Sequence, residues 1–286
     1  MKYSFFISFI FLIFISNITF SQVKNDTLLT VVGEKVIVSV KEITASEIKY
    51  SYPNEALLNG MKKSSVAEIR FGSGRVQKLH KFLNYKNVST GKDWENVSIS
   101  NVATEVEGLV KLGDVSAKAE GTTEFSSVAK LQARVYDKIK VQSAMLGGNV
   151  AFVINQTAET MSSSAFSSKA ANAIMSASVY SSKVINSADI HYGTYSISHY
   201  YLLRSNEAKI KTKKFAVAHQ ITISEDRINL NGRQPGIDIK FSDITNGIEK
   251  MNIISSTPSQ LVLSYVKSTS RGKKTYYNII LTKIVQ

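Results

Sequence analysis

The sequence predicts an α+β, β-dominated chain: a small N-terminal β-barrel-like module, a central α/β sandwich with one long helix, and a C-terminal antiparallel β-domain. Three observations predict it. Short runs that alternate β-branched or aromatic residues with polar ones recur from about residue 27 to 80 and again from 190 to 286. Val128, Leu131, Val135, Ile139 and Leu146 fall at spacings of three, four, four and seven, the period of one helix face. Glycine turns punctuate the alternating runs, while the 3 prolines of the 286-residue chain are too few for a proline-rich linker.

Residues 1–21 read as a secretory signal peptide. Met1-Lys2 is a short basic start, residues 5–15 are almost wholly apolar, and Thr19-Phe20-Ser21 sets small residues at the −3 and −1 positions, which predicts cleavage after Ser21. The apolar core is too short to span a bilayer, and no later apolar run is long enough, so no transmembrane span is expected. The strand-like runs are also too short and irregular for the ~10-residue repeat of an outer-membrane barrel.

Residues 22–85 form the predicted β-module. Val36-Ile37-Val38-Ser39-Val40 is β-branched, Glu47-Ile48-Lys49-Tyr50-Ser51-Tyr52 alternates, and Tyr52-Pro53-Asn54 marks a turn. Val66-Ala67-Glu68-Ile69-Arg70-Phe71 runs into Gly72-Ser73-Gly74. No helix follows that triplet, so it reads as a hairpin turn and not as a phosphate loop.

Residues 94–184 form the predicted α+β domain. The stretch 94–119 reads as extended and a helix follows over about 124–146, with Thr122 or Thr123 as its cap and Glu124 suited to its first turn. Gly147-Gly148 stops it, and Asn149-Val150-Ala151-Phe152-Val153-Ile154 reads as a strand buried on both faces beneath the helix stripe. The Ser/Thr-rich run 155–169 has no apolar period and reads as an exposed loop. Residues 173–180 read as a strand, with a helix as the alternative.

Residues 190–286 are strand-dense, with turns at Glu225-Asp226, Asn231-Gly232 and Ser270-Arg271-Gly272, and suggest a half-barrel or sandwich.

The composition excludes whole classes of chemistry. With 0 cysteines there is no disulfide, thiolate metal site, cysteine nucleophile or lipidated N-terminal cysteine. A secreted chain of this size without disulfides reads as bacterial, periplasmic or outer-membrane-associated, or secreted beyond. The net charge of +13 favours anionic partners, although the positive residues are spread along the chain. Nucleic acid is a poor partner outside the cytoplasm.

No catalytic or metal motif stands out. Gly-x-Ser-x-Gly, Walker, His-Glu-x-x-His and dinucleotide fingerprints are absent, so neither an enzyme nor a bound cofactor is expected. The four histidines are His80, His191, His199 and His219. His191 and His199 are too far apart along a strand for one ion, and His199 could meet His219 only in one particular register. Lys209-Ile210-Lys211-Thr212-Lys213-Lys214 and Arg271-Gly272-Lys273-Lys274 make a candidate anion-binding edge: Lys211, Lys213, Lys214, Arg271, Lys273 and Lys274. Lysines also serve simply to keep sheet edges from pairing. Tyr192, Tyr195, Tyr200, Tyr201, Tyr276 and Tyr277 suit either a sheet core or a shallow apolar pocket.

Two resemblances rest on local runs. Gly33-Glu34-Lys35-Val36-Ile37-Val38, Val40-Lys41-Glu42-Ile43, Glu47-Ile48-Lys49-Tyr50, Ile69-Arg70-Phe71 and Gly74-Arg75-Val76 together resemble a small β-domain of exported, uncharacterised Bacteroidota proteins, and Phe20-Ser21-Gln22 is similar to leaders of that phylum. Ser143-Ala144-Met145-Leu146-Gly147-Gly148-Asn149-Val150 resembles a run in small α+β exported domains, some labelled heavy-metal-binding. That likeness implies an architecture. The metal label is not carried over, because residues 81–190 contain no Cys and no His. The expectation is thus a non-enzymatic exported binding or structural module at the cell envelope, its partner an anionic envelope component or another envelope protein. The alternatives are a lipid or small-molecule carrier using the C-terminal β-domain, and a hydrolase without a recognisable motif.

Overall fold

The computed structural model describes residues 25–284 apart from 32, 80–84, 122–126, 161, 165–166, 184, 231, 233 and 271. Residues 1–21, predicted as a signal peptide cleaved after Ser21, His80, the capping candidates Thr122, Thr123 and Glu124, Asn231 and Arg271 lie outside the described residues. The chain divides into two compact units, residues 1–82 and 83–286.

The first unit is a six-stranded antiparallel sheet: β1 (Asp26–Thr30), β2 (Lys35–Ile43), β3 (Glu47–Ser51), β4 (Asn59–Lys62), β5 (Val66–Arg70) and β6 (Val76–Lys78), in the order β4-β3-β2-β1-β5-β6. Leu28, Val38, Ile48, Tyr50, Val66 and Ile69 form its core. The sheet is open, which corrects the barrel-like expectation. Closure would need β4 to pair with β6, and these are short strands ending in Lys62 and Lys78, charges that discourage edge pairing. Asp26 ties the sheet across its width, its carboxylate accepting from Val40 N and Gly72 N at 2.8 Å each. Gly74 takes φ +89° in the hairpin turn, and the Arg75 guanidinium lies 3.8 Å from the Phe71 ring centre.

The second unit contains two main sheets and one helix. β7 (Ser98–Ser100), β8 (Val110–Glu120), β9 (Val150–Glu159) and β12 (Asn172–Ser181) make a four-stranded sheet in the order β7-β9-β12-β8. β10 (Ser162–Ser164) and β11 (Ser167–Lys169) pair as a separate ribbon. β13 (Gly193–Arg204), β14 (Lys211–Ile223), β15 (Ile228–Asn229), β16 (Gly236–Ile239), β17 (Glu249–Ser256), β18 (Gln260–Ser268) and β19 (Lys274–Lys283) make a seven-stranded antiparallel sheet ordered β14-β13-β19-β18-β17-β16-β15.

Helix α1 (Val128–Met145) joins the two sheets. Ser127 caps it, its Oγ accepting from Lys130 N. Leu131, Val135 and Ile139 pack on Ala117, Ala173, Met175 and Ala177 of the four-stranded sheet, as the predicted stripe requires. A second stripe, Val141 and Met145, meets Leu203 and Tyr276 of the seven-stranded sheet. The segments 94–184 and 190–286 therefore share one helix within a single compact unit.

α1 ends in a Schellman motif. Gly147 takes φ +80°, Gly147 N donates to Ala144 O, and Gly148 N donates to Ser143 O. Asn149 then fixes the exit, donating to Lys86 O and Ser182 Oγ while accepting from Ser182 N.

Three local expectations change. The stretch 94–119, read as extended, holds all or part of the short 3-10 helices Gly91–Asn96 and Ala103–Glu105, on either side of β7. Residues 155–169, read as a loop, instead extend β9 to Glu159 and form the β10–β11 ribbon. The described side chains of this arm in β9 are exposed, so no apolar alternation marks it as strand. The 149–154 strand is not buried on both faces either. Val150 and Ala151 are buried but Ile154 is 58% exposed, and the helix rests on small alanines instead.

The seven-stranded sheet is also open, but it curls. The Phe215 ring of β14 makes tilted contacts with Tyr200 at 4.9 Å and with Phe241, just past β16, at 5.5 Å between ring centres. Asp243 accepts from Ala216 N. The segment after β16 thus reaches the opposite edge of the sheet and covers a core that includes Tyr195, Ile197, Met251, Leu263 and Ile279.

Candidate anion-binding site

The six predicted basic residues gather only in part. Lys211, Lys213 and Lys214 begin the edge strand β14 and are all exposed. Strand alternation sends Lys213 and Lys214 to opposite faces; Lys214 stands opposite His199 and Lys213 opposite Tyr200. Lys211 is held by Glu207 at 2.8 Å, and Arg204 approaches the same carboxylate at 3.7 Å. Lys273 is exposed in the β18–β19 turn. Lys274 turns away from β14 and donates to Asp114 O at 3.2 Å.

Lys274 belongs instead to a cavity of about 290 Å³ along the free edge of β8. Its lining includes Ser116 and Lys118 of β8, Lys138 of α1, Ser205 and Asn206 after β13, and Lys274 and Tyr276 of β19. No carboxylate is among its lining residues. Lys118 is bridged to Glu120 at 2.5 Å. Lys138 donates to Lys118 O at 2.8 Å, and its ammonium is held below the usual lysine range by burial and then by the Arg134 charge. Outside this lining, hydrogen bonds from Lys111 and Ser178 hold the Asp114 carboxyl below the usual range, with Lys274 adding to the effect. Lys118 and Lys138 were not singled out from sequence. Their alternating and helical positions read as ordinary solvent-facing lysines, and only the tertiary fold places them beside Lys274.

Tyr276 backs the cavity, and its hydroxyl donates to the buried Gln142 Oε1 at 3.1 Å. Burial pushes its phenol up to about 12. Against about 10 in the unfolded chain, the folded phenol holds its proton more tightly. That contribution to stability is whole below pH 10 and is lost as pH rises through about 12. Tyr276→Phe is accordingly expected to flatten the fall in urea midpoint between pH 10 and 12. A variant whose midpoints fall in parallel with the wild type would refute this.

The three described histidines do not converge. His199 lies beside Tyr201, and His219 packs edge-on to Phe215 at 5.3 Å, opposite Ile197 in register. Ser256 Oγ accepts from His191 N at 2.9 Å and meets His191 Nδ1 at 3.1 Å, an arrangement that caps the loop entering β13. No group of three or more His, Asp or Glu side chains that could hold a metal ion occurs among the described residues. Tyr195, Tyr200 and Tyr277 are buried in the core of the seven-stranded sheet. No helix among the described residues is long and apolar enough to cross a membrane. Comparison with protein-family models, with curated proteins and with solved structures finds no match.

Proposed function

We propose that this chain is a non-enzymatic binding module exported to a bacterial cell envelope, where lysines on its sheet edge hold anionic envelope components. One observation carries the reading. Lys213 and Lys214 stand exposed on the edge strand β14, and no carboxylate bridges either of them among the described residues. Such cations attract an anionic surface by a long-range force that salt screens. A basic side chain near such a surface contributes about 1 kcal/mol, so the two unbridged lysines give an effect of tenfold or more.

Co-sedimentation with vesicles of phosphatidylglycerol in phosphatidylcholine tests this. The protein is expected to pellet at low salt, to release as salt is raised, and to ignore vesicles of phosphatidylcholine alone. The triple variant Lys211→Gln, Lys213→Gln, Lys214→Gln should bind on the order of tenfold more weakly. Equal binding to both vesicle types, or a triple variant that pellets like the wild type, would sink the proposal.

A further inference from the structure

The pairing of β8 with β12 fixes which way each peptide group on that edge points. Gly121 N donates to Ala171 O, so the odd-numbered residues at this end of β8 bond across to β12. The even-numbered residues Asp114, Ser116 and Lys118 therefore turn both C=O and N–H outward. All three carbonyls are occupied: Lys274 donates to Asp114 O, Gln142 to Ser116 O at 3.1 Å, and Lys138 to Lys118 O. The amides of Ser116 and Lys118 have no partner among the described residues. An edge stripped of acceptors but retaining donors cannot zip to another strand, which must offer both. It can take a ligand that only accepts. Each ammonium has three donors, and one carbonyl engages only one of them.

We infer that this cavity binds an elongated anion carrying two phosphate-type groups, one end on Lys138 and the other on Lys274, with the Ser116 and Lys118 amides between them. The span sets the shape of the ligand. The two ammonium groups are anchored at carbonyls four residues apart on a strand, about 13 Å. Phosphate oxygens sit ~2.8 Å from a bound ammonium, so a single tetrahedral anion reaches one lysine and a longer one reaches both. These lysines are not those of the vesicle-binding edge, so the site stands or falls separately from that role.

Calorimetric titration of the purified protein with orthophosphate, tripolyphosphate and glucose 1,6-bisphosphate tests the inference, with backbone amide NMR as a second readout. At least one elongated probe should bind roughly tenfold or more tighter than orthophosphate and shift the amides of Ser116 and Lys118. The tighter of the two distinguishes condensed phosphate from a doubly phosphorylated sugar. Lys138→Gln and Lys274→Gln, which each keep a neutral donor, should each weaken that probe about tenfold. The triple β14 variant should bind it as the wild type does. Orthophosphate binding as tightly as the longer probes, amide shifts confined elsewhere, or no binding at all would overturn the assignment. The amide readout uses wild-type protein, so it decides the matter even if a lysine variant folds poorly.

Discussion

Gly148→Ala is expected to destabilise the 83–286 unit by about 3 kcal/mol or more, a large share of the roughly 5–15 kcal/mol that ordinarily holds a domain folded. A Cβ at this position would lie 2.1 Å from Val179 Cγ1, 3.1 Å from Tyr180 O and 3.3 Å from Ser143 O. Val179 is fully buried, and two of the three obstacles are backbone oxygens, so no flexible side-chain tip can yield. Gly147→Ala should be nearly as harmful for two reasons: φ +80° disfavours a side chain, and Ile254 Cβ would stand 2.6 Å away. Gly247 has nothing within 4 Å and serves as the control. Urea unfolding followed by far-UV circular dichroism should show a large drop in midpoint for the first two and almost none for Gly247→Ala. A midpoint for Gly148→Ala close to that of the control would show that the α1–β9 junction yields more than its packing implies.

Asn278→Ala should cost about 3 kcal/mol. Asn278 is fully buried in β19, an interior strand of the seven-stranded sheet. Its Oδ1 accepts from Gly91 N at 2.7 Å and its Nδ2 donates to Met145 O at 2.8 Å, so one side chain ties the sheet to the end of α1 and to the turn before β7. Ser264 Oγ also donates to Met145 O, so alanine leaves chiefly Gly91 N unpaired, beside a small cavity. Asn278→Asp should be worse at neutral pH, because a carboxylate would face the Met145 carbonyl with no proton to give. Burial would raise that carboxyl's folded pKa above its unfolded value near 3.9. The extra deficit of Asp over Ala should therefore shrink as pH falls toward 4 and widen as it rises. Urea midpoints of the two variants from pH 4 to 8 give the comparison. An aspartate variant as stable as alanine at pH 7 would show that water reaches this junction.

Local features were legible where a residue's neighbours in sequence are also its partners in space. The α1 stripe of Leu131, Val135 and Ile139 and the glycine stop at Gly147 follow from periodicity and from the backbone freedom of glycine. The run from Ser143 to Val150, noticed first as a resemblance, proves to be the machinery of that helix end: Ser143 O, Gly147, Gly148 and Asn149 each hold the turn. Contacts between distant segments left no such mark. Val141 and Met145 fall outside the predicted stripe, and nothing local tells of the distant sheet residues Leu203 and Tyr276 that cover them. The Ser/Thr arm escaped notice for the opposite reason: a strand without a buried face has no alternation to detect. The cavity is the extreme case, since Lys118, Lys138 and Lys274 come from three elements and each alone looks like any solvated lysine.

The place of β19 in the sheet order has a kinetic consequence. It lies between β13 and β18, so β13 waits some eighty residues for its inner neighbour, Tyr195 pairing with Lys283. Until β19 docks, the Val141–Met145 flank of α1 lacks Tyr276 from its cover, and β13 has one edge unpaired. Loop closure over such distances precedes any stabilising contact, which slows folding. The seven-stranded sheet is thus completed late, only once β19 has been made, whereas the helix and the four-stranded sheet hold a core of their own from residues made earlier.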